Sequence, residues 1–251
     1  MLQALSSMLD LCDINSFSGA QRFMNALLII AENLSCNYKA LTILAQPVLT
    51  LLVPVLFNKL TNSQSMDVRF LSFKIYTDIM TQYISDVNLN SKLSEKDQGL
   101  SGKAEQSANQ YLQVQSVSRL IDTTISQQLL PRLMYILTSD QCQDPIPMFG
   151  LRLLSAIIDR SSQFFPTLGT GHETNPLLVA IASFYQVNHP RLNRHTLKVI
   201  QKWVNGRLVG LTELETLQIL KNTNLLVTSM LKNRQEWCLE IMLDILHDLL
   251  T

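Results

Sequence analysis

Hydrophobic and polar positions along this chain follow a helical rhythm that restarts several times. Starting at Leu151, apolar residues fall at Leu151, Leu153, Leu154, Ile157 and Ile158, with Gly150 just ahead and Arg152 among them. At about 100° per residue these five positions occupy one arc roughly 160° wide, and Arg152 projects from the opposite side. A strand would alternate strictly, so this spacing predicts an amphipathic helix with a broad buried face. The same template recurs where Ser72 precedes Phe73, Ile75, Tyr76, Ile79 and Met80, with Lys74 in the charged slot. Thr196 precedes Leu197, Val199, Ile200, Trp203 and Val204, with Lys198 in that slot. Cys238 precedes Leu239, Ile241, Met242, Ile245 and Leu246, with Glu240 there, and a looser copy runs Ala26, Leu27, Ile29, Ile30, Leu34. The leading residue is small each time, which predicts another helix passing close at that point.

The anchors Leu27, Phe73, Leu151, Leu197 and Leu239 are spaced by 46, 78, 46 and 42 residues. With the long interval counted as two, these spacings match the period of paired-helix repeats of the HEAT and armadillo type. The partner helix recurs as well: LLVPVLFNKLT (51–61) aligns with QLLPRLMYILT (128–138), setting Pro54 on Pro131. In DPIPMFGLRLLSAIID (144–159), Pro145 and Pro147 are expected to end a connection and open the second helix, since proline is tolerated in a first turn. Asp67 and Asp144 fall within one residue of the same linker position, where an N-cap is expected. The fold class predicted is all-α, a right-handed α-solenoid of about four to five HEAT/armadillo-like repeats.

Residues 86–110 (DVNLNSKLSEKDQGLSGKAEQSANQ) break the rhythm; they are polar, mixed in charge and free of aromatics. Such a stretch buries too little apolar surface to offset the entropy of ordering, so a flexible insertion is expected between repeats 1–85 and 111–251 of one continuous solenoid. Met1, Leu2, Leu5, Met8 and Leu9 open the chain, and Ile245, Leu246, Leu249 and Leu250 close it. Solenoid ends carry polar capping faces. These do not, which predicts a piece of a longer solenoid or an end packed against something else.

Composition narrows the function classes. Twenty basic and twenty acidic side chains give a formal net charge of zero, and nucleic-acid binders normally carry a basic excess. The four cysteines (Cys12, Cys36, Cys142, Cys238) form no CxxC pair, so reduced, buried thiols in a cytoplasmic protein are expected. Residues 40–58 carry no charge, yet they fall short of the roughly 20 residues of a membrane span and contain Pro47 and Pro54. A core helix is expected there, and no membrane span.

Chemistry-bearing motifs are missing from the pattern. His172, His189, His195 and His247 lack partners at metal-ligand spacing, and no HExxH, P-loop or nucleophile elbow is present. No catalytic residue, metal or cofactor is therefore expected, and the chain is not read as an enzyme. One constellation stands out. Arg194, Lys198 and Lys202 lie four apart, extended by Arg191 and Arg207, while Glu236, Glu240, Asp244 and Asp248 form an acidic counterpart one repeat on. In register, Arg194 meets Glu236, Lys198 meets Glu240 and Lys202 meets Asp244. The plainer reading is an inter-repeat ion-pair ladder, each exposed pair worth about 0–1 kcal/mol. The functional reading is a basic strip beside an acidic one that receives a partner peptide on the concave surface. Its candidate contacts are Lys74, Arg152, Arg194, Lys198 and Lys202.

The pairs 46–60 with 65–85 and 125–138 with 144–161 look like HEAT or armadillo units, and Asp67-Val68-Arg69 resembles the turn of a HEAT repeat. Residues 129–168 resemble the C-terminal repeat region of the fourth Unc-51-like kinase family, pseudokinases related to Fused. The likeness is sharpest over DPIPMFGLRLL. It implies a pseudokinase domain followed by a long helical-repeat tail, with roles in cilia, microtubules and neuronal development. No nucleotide-binding residue carries over to this chain. The function expected is a protein-protein interaction scaffold; the alternative is the regulatory region of a serine/threonine kinase-like protein, cytoplasmic and associated with the cytoskeleton or cilium.

Overall fold

Leu5 and Leu9 lie four apart and both are buried, which makes Leu2–Leu11 an amphipathic helix, α1. The chain turns through Gly19, whose φ of +98° lies in the left-handed region that favours glycine, into α2 (Ala20–Ser35). A broken helix follows: α3 (Tyr38–Ile43), a short turn α4 (Ala45–Pro47), a π turn (Val48–Leu52) and α5 (Val53–Asn62). It pairs with α6 (Met66–Ser85). Residues 115–124 are helical and run through a second π turn (Ile125–Leu129) into α7 (Leu130–Thr138). Then come α8 (Ile146–Arg160), α9 (Pro190–Arg207) and α10 (Leu239–Leu250). The computed structural model describes residues 1–85, 115–138, 146–160, 190–207, 221 and 239–250, and no strand occurs among them. The expected insertion at 86–110 lies outside the described residues.

The chain forms two compact units, residues 1–125 and 126–251. In the first, α1 packs on α5 and its π turn while α2 packs on α6, so first helices stack on first helices and second on second. In the second, α7 and α8 form a hairpin, and α8, α9 and α10 stack in succession.

Each π turn precedes a proline, and the two are built alike. A proline ring crowds the carbonyl four residues back, and a π turn widens the helix where that clash would fall. For Pro54 the crowded residue is Thr50, the middle of Val48–Leu52; for Pro131 it is Gln127, the middle of Ile125–Leu129. The alignment of the two segments in sequence therefore marks a shared backbone device. The charge-free stretch 40–58 is this broken helix, with Leu41, Val48, Leu49, Leu52, Val53 and Leu56 in the core. No helix among the described residues is long and apolar enough to cross a membrane.

The slots of the recurring template are filled as expected in most copies. Ser72, Phe73, Ile75, Tyr76, Ile79 and Met80 are all buried, as are Leu151, Leu153, Leu154 and Ile157, and Thr196, Leu197, Val199 and Ile200. In the last copy Met242 and Ile245 are buried and Leu239 is half-buried. The small leading residue has a visible cause at Gly150: a Cβ there would lie 3.0 Å from Leu137 Cδ2 and 3.5 Å from Leu133 Cδ2 of α7.

Three expectations need correction. On α2 the buried stripe is Ala20, Met24, Leu27, Leu28 and Ala31, whereas Ile29 and Ile30 remain 52% and 50% exposed. Their slots correspond to Ile75 and Tyr76 of α6, which α2 helps to cover; α2 has no such neighbour on that flank among the described residues. The cap of α6 is Ser65, whose Oγ accepts from the Val68 amide at 3.4 Å, and Asp67 sits inside the first turn, where a carboxylate meets the positive end of the helix dipole. Asp144 and Pro145 lie outside the described residues, while Pro147 stands in the first turn of α8 as expected. Finally, Cys12 is a buried thiol but Cys36 is exposed.

Two tyrosines one heptad apart on α6 differ in their hydroxyls. Tyr83 donates to the Leu41 carbonyl at 2.9 Å and ties α6 to α3. Tyr76 packs on Phe57 with ring centroids 5.9 Å apart, fully buried, and its hydroxyl finds no partner among the described residues. Burial pushes both phenols well above their ordinary value. Urea unfolding is expected to show Tyr76→Phe stabilising by about 1 kcal/mol, because a desolvated, unpaired hydroxyl is removed. Tyr83→Phe should destabilise by about 1–2 kcal/mol, leaving a buried carbonyl unmet. Gly150→Val should cost about 2 kcal/mol in the same assay, since two leucines of α7 must give way.

Candidate protein-binding surface

Helix α9 opens on Pro190 and buries Leu192, Thr196, Leu197, Val199 and Ile200. The hydroxyl of Thr196 donates to the Leu192 carbonyl at 2.9 Å, so this polar group is satisfied inside the core. Opposite that arc α9 presents Arg194, Lys198, Gln201 and Lys202, flanked by α8 on one side and α10 on the other.

Polar rungs join neighbouring second helices. Lys202 Nζ donates to Asp159 Oδ2 at 2.5 Å and to Ser155 Oγ at 2.7 Å, both on α8. Gln201 Nε2 donates to Asp244 Oδ2 on α10 at 3.2 Å. In the first unit Lys74 of α6 pairs with Glu32 of α2, and that hydrogen bond raises the Lys74 ammonium above its ordinary pKa. The three rungs span 42, 43 and 43 residues, one repeat each.

The ladder exists, but not in the expected register. Lys202 reaches back to α8, and Asp244 receives the Gln201 amide instead. Consecutive helical residues point about 100° apart, so positions 201 and 202 address opposite flanks. Lys198 and Glu240 are both exposed and form no ion pair with each other; Glu236 and the side chains of Arg191 and Arg207 lie outside the described residues.

The candidate contacts therefore divide. Lys74 and Lys202 are held in inter-helix rungs. Arg152, Arg194 and Lys198 stand near His195: the 43-residue offset that joins Asp159 to Lys202 carries Arg152 to His195. His195 is half-buried, and its pKa is pushed below 6.5 by burial first, then by the cations Arg152, Lys198 and Arg194. A neutral imidazole thus sits among three positive charges. Among the described residues, Arg194 and Lys198 are exposed and make no ion pair. His195 carried no signal as a metal ligand, and its signal as part of this cluster was its place between Arg194 and Lys198.

A separate cleft of about 270 Å³ between α1 and α5 includes Asp10, Asp13, Asn58 and Lys59. Its ammonium is engaged: Lys59 Nζ donates to the Asp10 and Cys12 carbonyls at 3.1 and 3.0 Å, capping the end of α1. No group of three or more metal-ligating side chains occurs among the described residues.

A family profile described as "Serine/threonine-protein kinase ULK4-like, HEAT repeats" matches residues 1–166. The chain belongs to this family of HEAT repeats. No curated protein and no solved structure matches it. The matched span holds α1 to α8 and includes the DPIPMFGLRLL stretch whose likeness pointed the same way. Stacked hairpins, rungs one repeat apart and the family match together make the fold an all-α solenoid of HEAT repeats. Helices α9 and α10 lie past the matched residues and keep the same spacing.

The Lys202–Asp159 rung of these HEAT repeats is partly exposed, at 34% and 51% for the two side chains, so water screens it. A double-mutant cycle with Lys202→Met and Asp159→Asn is expected to give a coupling energy below about 1 kcal/mol, smaller still in high salt.

Proposed function

We propose that the chain is a protein-binding scaffold that holds its partner on the face of the stacked second helices α8 to α10, through Arg152, Arg194 and Lys198. The observation that carries this reading is that Arg194 and Lys198 stand exposed on α9, opposite its buried arc and one turn apart. Side chains that only fixed stacking would be engaged with a neighbouring helix, as Lys74 and Lys202 are; Arg194 and Lys198 make no such ion pair among the described residues. Repeat folds present extended surfaces of this kind to partners, and recognition there is by shape and charge without bond chemistry. A net charge of zero and a three-cation cluster suit a protein better than a nucleic acid, whose binding surfaces are broadly basic.

The family description names a serine/threonine-protein kinase, and this favours a second reading. The repeats would then be the regulatory region of a kinase-like, pseudokinase-bearing protein in the cytoplasm, working at the cytoskeleton or cilium. The two readings are compatible, since a regulatory region of this kind acts by binding.

Affinity capture with the wild-type chain, followed by the Arg194→Glu/Lys198→Glu variant, tests the reading. Captured partner is expected to fall at least about ten-fold, with the melting temperature unchanged because both side chains are exposed. Equal capture by the two chains overturns it.

A further inference from the structure

We propose that the flank of α2 turned away from α6 docks an amphipathic helix of a partner protein, one that carries a carboxylate beside its apolar stripe. This surface belongs to the first unit and uses none of the residues of the α8 to α10 face, so it goes beyond the scaffold reading.

Angle on the helix locates the flank. Gln21 Nε2 donates to Ser65 Oγ at 3.4 Å and Glu32 pairs with Lys74, so these two positions mark the side of α2 that α6 covers. Ile30 is nine residues from Gln21 and Phe23 is nine from Glu32. Nine steps of about 100° bring each to the opposite side of the helix. Phe23, Ala26 and Ile30 keep the i, i+3, i+7 spacing of a single helix face, the spacing by which one helix anchors on another. All three are exposed, as is Ile29 beside them. Phe17, from the turn before α2, lies against Phe23 with ring centroids 6.4 Å apart, and the two rings remain 54% and 43% exposed. An aromatic pair and two isoleucines on one exposed flank mark an interaction site more often than plain surface.

The occupant follows from interfaces already present in the fold. Second helices seat on one another's flanks, α2 on α6 and α8 on α9. Both ion pairs across these seams run in the same sense, with the lysine on the later helix and the carboxylate on the earlier one. A helix seated on the free flank of α2 takes the place of the earlier helix, and the cation available to it is Arg22. Arg22 is exposed and makes no ion pair among the described residues, and Ile29 follows it two turns on along nearly the same line. It stands in the first turn of α2, where the positive end of the helix dipole disfavours a cation and no acid offsets it. Within the fold Arg22 is unfavourably placed, whereas an incoming carboxylate meets both the guanidinium and the dipole. Aromatic side chains and arginine are also the residues that most often carry the energy of a protein interface.

The test uses the full chain and fluorescence anisotropy with a synthetic helical peptide of about 18 residues, long enough to be helical when bound. The peptide places leucine at every third or fourth position and glutamate beside that stripe. Its controls carry lysine for each glutamate, or glutamine for each leucine. The glutamate peptide is expected to bind, and to lose at least about ten-fold in affinity against Phe23→Ser/Ile30→Ser and about three- to ten-fold against Arg22→Gln. These side chains are exposed, so the melting temperature should hold in both variants. Arg22→Glu should reverse the preference, binding the lysine peptide more tightly than the glutamate one. The assignment is overturned if the glutamate and lysine peptides bind wild type equally, if the leucine-free peptide binds as well as the first, or if Phe23→Ser/Ile30→Ser keeps full affinity. Dimerisation of the wild-type chain in sedimentation, abolished in Phe23→Ser/Ile30→Ser, would make the occupant a second copy and also overturn it. The Arg194→Glu/Lys198→Glu variant should bind the peptide as wild type does, so this assignment and the scaffold reading fail separately.

Discussion

Side-by-side stacking of second helices is the constraint on which the rest of this structure depends. A helix within such a stack has a hairpin partner below it and further helices on its flanks, so it must bury far more than one stripe. Helix α6 shows the result: Val68, Phe73, Ile75, Tyr76, Ile79, Met80, Tyr83 and Ile84 are all in the core, and between its ends Lys74 and Asp78 are only partly exposed. Gly150 leaves room for the Leu137 and Leu133 side chains, and Ser72 and Thr196 are buried in the equivalent slots. Apolar burial supplies most of the cohesion, at roughly 25 cal/mol per Å². The polar rungs contribute less to stability than to register, because each bond joins positions one repeat apart and no others.

That constraint also decides which charges remain for other work. A long cation near a flank finds a carboxylate on the neighbouring helix, as Lys74 finds Glu32 and Lys202 finds Asp159. Arg194 and Lys198 point away from both flanks, and with Arg152 they surround His195 with like charge. What sets Lys202 apart from Arg194 and Lys198 is its angle on the helix, not its residue type.

The fold was legible because its signal is periodic. Five apolar slots behind a small residue, repeated at 42 to 46 residues, need no tertiary information to be seen. Where the reading slipped, the missing information was about neighbours. Ile29 and Ile30 satisfy the template, but the template cannot say that α2 lacks a helix on that flank among the described residues. The Lys202 pairing was assigned to α10 because the acidic run there is conspicuous in sequence, while Asp159 is a single carboxylate near the end of α8. A one-residue difference in angle decided between them. The setting of His195 was hidden for a related reason: a histidine is singled out in sequence by ligand spacing, and here a charge near it comes from a helix 43 residues away.

The paired π turns carry a consequence for helix phase. Each is equivalent to one residue inserted into an α-helix, so everything downstream is rotated by about 100° relative to an uninterrupted helix. Leu56 and Leu60 face the core in that rotated setting, as do Leu133 and Leu137. The proline that makes the wide turn favourable thereby denies the following helix its alternative azimuth. Pro54 and Pro131 act as indexing pins: they choose which side of a leucine-rich helix becomes its inner side, in a chain where several sides would otherwise compete.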